Sequence, residues 1–138
     1  MAHTHQISLS AELESLPLFR DLVKTACQNM PEINEQIVYD IQLAVDEVCT
    51  NIITHGYEKM DPGSIIMEVE IEPHQVIVSI TDFGHPFEPV EPPPPNLNNE
   101  LDNLKSGGLG LFFVFMSVDD IEYQSSETGN ITKLIKKY

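Results

Sequence analysis

Glu47, Asn51 and His55 follow one another at four-residue steps, a spacing that stacks side chains along one helix face. A carboxylate and a carboxamide one turn apart can act together on a metal ion. The amide oxygen is a hard donor suited to magnesium, and the carboxylate can hold a water or take a proton. A solvated polar face has the same spacing, so the stripe alone leaves both readings open. Two later stretches add chemistry. Asp82 closes an apolar run and opens Asp-Phe-Gly-His-Pro-Phe, ending at Phe87. A buried carboxylate there needs donors, although an aspartate that caps a turn would look alike. Gly84 lets the backbone approach a planar ring closely. Gly107, Gly108 and Gly110 lead into an apolar segment. A helix N-terminus offers free N–H groups and the positive end of its dipole, and glycines clear the way for phosphate oxygens. A flexible loop entering a buried helix is the plainer alternative. The pattern is not a P-loop, which ends in Gly-Lys-Ser/Thr, nor a dinucleotide fingerprint, because no strand runs directly into it.

These residues need positioning, and the chain's periodicities say by what. A short strand is expected over 6–10. A helix follows over 12–29, with Leu16, Phe19, Val23, Ala26 and Met30 on one face, Pro17 in its tolerant first turn and Pro31 ending it. Asn34 suits the N-cap of a central helix over 40–57, whose core face is Ile37, Ile41, Ala44, Val45, Val48 and Ile52. Residues 66–72 alternate Met67, Val69 and Ile71 with glutamates, and 76–81 is more apolar and therefore more central. The two read as an antiparallel hairpin through Pro73-His74. The stretch 88–106 contains four consecutive prolines and no apolar periodicity, which suits a lid or an extended polyproline segment; a ligand for a proline-binding module is the alternative. Residues 110–118 are apolar all round and predict a buried helix. Strands over 121–125 and 131–136 are joined by the turn Glu127-Thr128-Gly129-Asn130. Three helices and about five strands predict one α+β domain over 1–138. Its architecture is a two-layer α/β sandwich, a mixed, mostly antiparallel sheet with helices on one face.

Seven basic residues against 22 acidic ones give a formal net charge of −15. That excludes nucleic acid and anionic membrane as main partners, since both need a positive footprint. An acidic chain can still hold a nucleotide where backbone amides and a cation neutralise it locally. Cys27 and Cys49 lack metal or redox spacing and read as buried, reduced thiols. His3 and His5 are too sparse for a metal site. No signal peptide opens the chain and no apolar run reaches membrane-spanning length, so a cytoplasmic location is expected.

In order, the segments ELESLPLFRDLV, DEVCTNIITHGY, DFGHPF and GGLG closely resemble the anti-sigma-factor serine kinases. These are a branch of the histidine-kinase-type ATPases, and the resemblance spans nearly the whole chain. It implies a histidine kinase-like fold and an ATP- and Mg2+-dependent serine/threonine protein kinase. Such a protein sequesters a sigma factor or similar target and phosphorylates a small antagonist protein, an arrangement called partner switching. It makes Asn51 the magnesium ligand, Glu47 the general base and Asp82 the reader of adenine. It adds His55, Gly84, Pro86, Phe87, Lys105, Ser106, Gly107, Gly108, Leu109, Gly110, Leu111 and Thr132 as nucleotide contacts, makes 88–106 the lid and implies a homodimer. Three departures stand out. Lys105 lies about one position from where related kinases carry an arginine. His85-Pro86-Phe87 replaces a second glycine, as is common in this branch. Gly129-Asn130 stands where the family often has Gly-Thr, leaving Asn130 or Thr132 to supply the hydroxyl's contact. The competing expectation is a non-catalytic, nucleotide-gated protein-binding module. An ATPase fragment of a sensor-kinase system fits less well, because the dimerisation helix with its phosphorylated histidine is lacking, and His55 does not replace it.

Overall fold

Alternating apolar residues build the sheet, and residues at three- and four-step spacing build its helical cover. The computed structural model describes residues 3–86 and 108–138. Strands β1 (His3–Ser10), β2 (Ser64–Glu72), β3 (Gln75–Asp82), β4 (Asp120–Ser126) and β5 (Gly129–Lys137) form one sheet in the order β1-β2-β3-β5-β4. Every neighbouring pair is antiparallel, so the expected mixture of directions is not found among the described strands. The reason is topological. β3 and β4 run parallel, but β5 lies between them and pairs with both. On β2, Ile65, Met67, Val69 and Ile71 are buried, and on β3, Val76, Val78, Ile80 and Asp82, so each strand turns alternate residues toward the helices. β3 takes the central place its composition predicted.

The strands run longer than expected. β1 begins at His3, because pairing with β2 continues as far as Ile71. β5 begins at Gly129, so Gly129 and Asn130 belong to the strand and not to the turn expected there. Ser126 pairs with Gly129 and Ser125 with Asn130, and Gly129 takes a φ of 134°, which suits glycine.

The first helical segment is a short 3-10 turn (Leu13–Ser15) followed by α1 (Leu16–Cys27), less than the expected 12–29. Phe19, Val23, Ala26 and Cys27 are its buried face. α2 (Glu35–Asn51) has the predicted cap, Asn34 Oδ1 accepting from the Ile37 N–H at 2.9 Å, and so begins before the expected range of 40–57. It does not continue as an α-helix to residue 57. A π turn, Ile52–Gly56, takes over. α3 (Gly108–Ser117) also departs from expectation. Val114 and Ser117 are buried, but Phe113 is 47 % and Met116 68 % exposed, because a two-layer fold covers only one side of a helix.

Polar ties connect the layers. Arg20 Nη1 donates to both oxygens of Asp46 at 2.9 Å, joining α1 to α2, and Gln42 Nε2 donates to Arg20 O at 3.0 Å. Lys136 Nζ donates to the carbonyl of Ser117 at 2.7 Å and pairs with Asp40 at 3.2 Å, joining β5, α3 and α2. Burial raises the Cys27 thiol to about 11 and lifts Cys49 further, with the charges of Asp46 and Asp82 adding to it, so both thiols stay protonated. Among the described residues no helix is long and apolar enough to cross a membrane.

Tyr57 is 6 % exposed, and its hydroxyl donates to Ser64 O at 2.8 Å and accepts from Phe83 N at 2.9 Å. It binds the segment after α2 to the start of β2 and the end of β3. Tyr57→Phe keeps the ring and strands both backbone groups, so it should lower unfolding stability by about 1–3 kcal/mol. Urea denaturation would show this as a lower midpoint at unchanged slope. An unmoved midpoint would mean that the hydroxyl is dispensable.

Candidate functional site

The C-terminal half of α2, the π turn, the end of β3 and the first turns of α3 surround a small cleft. Its lining is Val48, Asn51, Ile52, Gly56, Asp82, His85, Leu111 and Thr132. Apolar side chains form the walls, and a few polar atoms converge between them.

Glu47 and Asn51 both reach this region from α2. The Glu47 carboxylate lies directly on Gly110 of α3: a Cβ at that glycine would overlap Oε1 and come within 2.9 Å of Oε2. Burial, with a smaller contribution from the charge of Asp46, raises the Glu47 pKa above the ordinary glutamate value. Asn51 is half-buried and lines the cleft, and no hydrogen bond joins its carboxamide to another described residue. The predicted stripe stops there. A π turn closes on the fifth residue, not the fourth, so Gly56 occupies the lining position below Asn51 and His55 stands exposed outside it.

Asp82 is 4 % exposed. Its Oδ1 accepts from Gly84 N at 3.0 Å and from Asn130 Nδ2 at 3.0 Å. No described residue donates to Oδ2, so the residue keeps an acceptor for whatever enters the cleft it lines. Gly84 is also needed for packing: a Cβ there would overlap the Gly56 carbonyl oxygen and lie 2.6 Å from its carbon. His85 N donates to the same Gly56 carbonyl at 2.6 Å, and the His85 ring lies 3.2 Å from Glu58 O. Thr132 is buried and lines the cleft with Leu111. Pro86 is exposed beside His85 and is not part of the lining. Gly108 and Leu109 enter as the opening residues of α3. Phe87, Lys105, Ser106, Gly107 and the expected lid over 88–106 lie outside the described residues.

The structure therefore gathers Glu47, Asn51, Asp82, Gly110, Leu111 and Thr132, and leaves His55 outside. It adds Gly56 and His85. Asn130, which the resemblance offered beside Thr132, is the β5 register partner of Asp82. Gly56 could have been found by counting five residues from Asn51, had a π turn been foreseen. Among the described residues no three of His, Cys, Asp and Glu stand close enough to hold a metal by themselves.

The chain is similar to known proteins. The chain is 35 % identical over 107 residues to an anti-sigma F factor of Clostridium beijerinckii, covering 78 % of this chain and 73 % of that one. It is 26 % identical over 137 residues to a serine-protein kinase RsbW of Bacillus cereus, covering 96 % and 83 %. A crystal structure of the RsbU and RsbW domains of a Mycobacterium tuberculosis protein shares the fold with a TM-score of 0.64 at 17 % identity, over 98 % of this chain. The chain spans about a third of that protein's length, 32 %. The histidine kinase-like ATPase domain matches residues 9–136, and the chain belongs to that family.

Proposed function

We propose that this chain is an ATP- and magnesium-dependent serine/threonine protein kinase of the anti-sigma type. It would sequester a sigma factor or similar regulatory protein and phosphorylate a small antagonist that competes for it. The family match and the names of the two curated relatives support the class. The observation that carries the reading is the cleft that Asn51, Asp82 and Leu111 line, with Glu47 against Gly110 one residue from Leu111. A cytoplasmic location, a homodimer and a lid over 88–106 belong to the same reading.

The residues present fit a magnesium ion. Asn51 offers a hard oxygen not held by another described side chain, and a cleft without three protein ligands suits a cation that completes its shell with phosphate and water. Bound there, magnesium would neutralise phosphate charge during transfer. Asp82 Oδ2 would accept from the exocyclic amine of adenine, and Val48, Ile52 and Leu111 would keep water from the base. The N–H groups at the start of α3 would face phosphate oxygens. Glu47 would take the proton of the incoming serine or threonine hydroxyl, and its raised pKa makes it the stronger base once ionised.

Three outcomes are expected. Glu47→Gln should bind ATP within about twofold of wild type and lose transfer by roughly 10²–10⁴-fold, read by the intact mass of a partner protein. Full transfer in that variant would remove Glu47 as the base, whereas nucleotide binding with no transfer even in wild type would favour the non-catalytic module. Transfer should fall as pH drops through the Glu47 pKa, and at a higher pH than an ordinary glutamate would give, because the base works only when ionised. A single-turnover pH profile whose acid limb lies at the ordinary glutamate value would contradict this assignment. In calorimetry with magnesium, Asn51→Ala should bind ATP no better than wild type does in EDTA; retention of the full magnesium effect would move the ion elsewhere.

A further inference from the structure

Asn130 is 2 % exposed, and both its amide hydrogens and its amide oxygen have partners. Its Nδ2 donates one bond to Asp82 Oδ1 and one to the carbonyl of Gly84, both at 3.0 Å. Its Oδ1 accepts from Ser125 Oγ at 2.6 Å. Two acceptors at one end and a hydroxyl donor at the other specify which way the amide points. The sheet builds this set directly. Asp82 and Asn130 are register partners across β3 and β5, and Asn130 and Ser125 across β5 and β4, so the three lie in one row. A threonine at this position would have one hydroxyl hydrogen and could serve Asp82 or Gly84 but not both.

We infer that Asn130, held by Ser125, is a positioning residue that sets the base specificity of the cleft. It occupies Asp82 Oδ1 with a donor, which fixes the carboxylate and leaves Oδ2 as the atom that meets the ligand. An atom held as an acceptor favours a base edge that carries an amine and rejects one that carries an oxo group. By donating also to Gly84 O, Asn130 ties the floor of the cleft to the loop that closes it. The inference rests on the nucleotide reading above and deepens it: the ligand class is a 6-amino purine nucleotide, and the discrimination comes from a residue that need not touch it.

The test is calorimetric binding of ATP and of inosine triphosphate, which has an oxo group in place of the amine, to wild type, Asn130→Asp and Ser125→Ala. Wild type should prefer ATP by about tenfold to a hundredfold, the range of one hydrogen bond to a charged group. Asn130→Asp keeps the shape but places oxygen where both donors stood, so the preference should shrink to within about threefold. Ser125→Ala leaves Asn130 in place but frees its orientation, and should give an intermediate preference with an unchanged circular dichroism spectrum. A residue with only a structural role would weaken both nucleotides together and leave their ratio alone, so a folded variant with the wild-type ratio overturns the inference. If Asn130→Asp does not fold, Ser125→Ala decides alone by the same criterion. Wild type binding both nucleotides equally would overturn the inference while leaving a nucleotide site, and wild type binding neither would remove the kinase reading as well.

Discussion

The cleft exists because two backbone segments touch. Gly84, just past β3, lies so close to the peptide of Gly56 that a single methyl group would not fit between them, and the His85 N–H then bonds the Gly56 carbonyl. This contact brings the end of the central helix to the end of the central strand, and with them Asn51 and Asp82. Tyr57 reinforces it from below through Ser64 and Phe83. The π turn makes it possible. It delivers Gly56, not His55, to the wall, with its carbonyl against Gly84. Buried backbone groups need partners, and here the partners are supplied by the opposite side of the site itself.

The electrostatics follow from the same packing. A chain with a formal net charge of −15 places Asp46, Glu47 and Asp82 near one another, an arrangement that would repel a polyanion if each charge acted freely. They do not act alike. Arg20 grips Asp46, Asn130 and Gly84 occupy one oxygen of Asp82, and burial favours the protonated form of Glu47. Three carboxyl groups of similar intrinsic chemistry thus take three roles, set by what each one touches.

Much of the fold could be read from the chain, because the alternation of Met67, Val69 and Ile71 and the cap at Asn34 are local signals. The carboxylate and carboxamide on α2 were readable for the same reason. What escaped depends on residues far apart in sequence. Helical spacing carried the polar stripe on to His55, since nothing local announces a π turn. Glu127-Thr128-Gly129-Asn130 has the composition of a turn, yet β4 claims the last two residues as pairing partners, which puts Asn130 opposite Asp82. The apolar sequence of α3 predicted burial on every side. Hydropathy does not reveal how many layers a fold has, and Phe113 and Met116 face outward.

The way α3 is fastened gives it the mechanics of a lever. Lys136 clamps its last turn by holding the Ser117 carbonyl, and the next residues are tied into the sheet through Asp119, whose N–H bonds Ile135 O and whose carboxylate accepts from Lys137 N. At the opposite end the Glu47 carboxylate rests on Gly110. A ten-residue helix is about 15 Å long, so a tilt of about 10° at Ser117 would carry the tip roughly 2–3 Å across the cleft. A small change of angle at the Ser117 end is therefore multiplied at the end that faces Glu47.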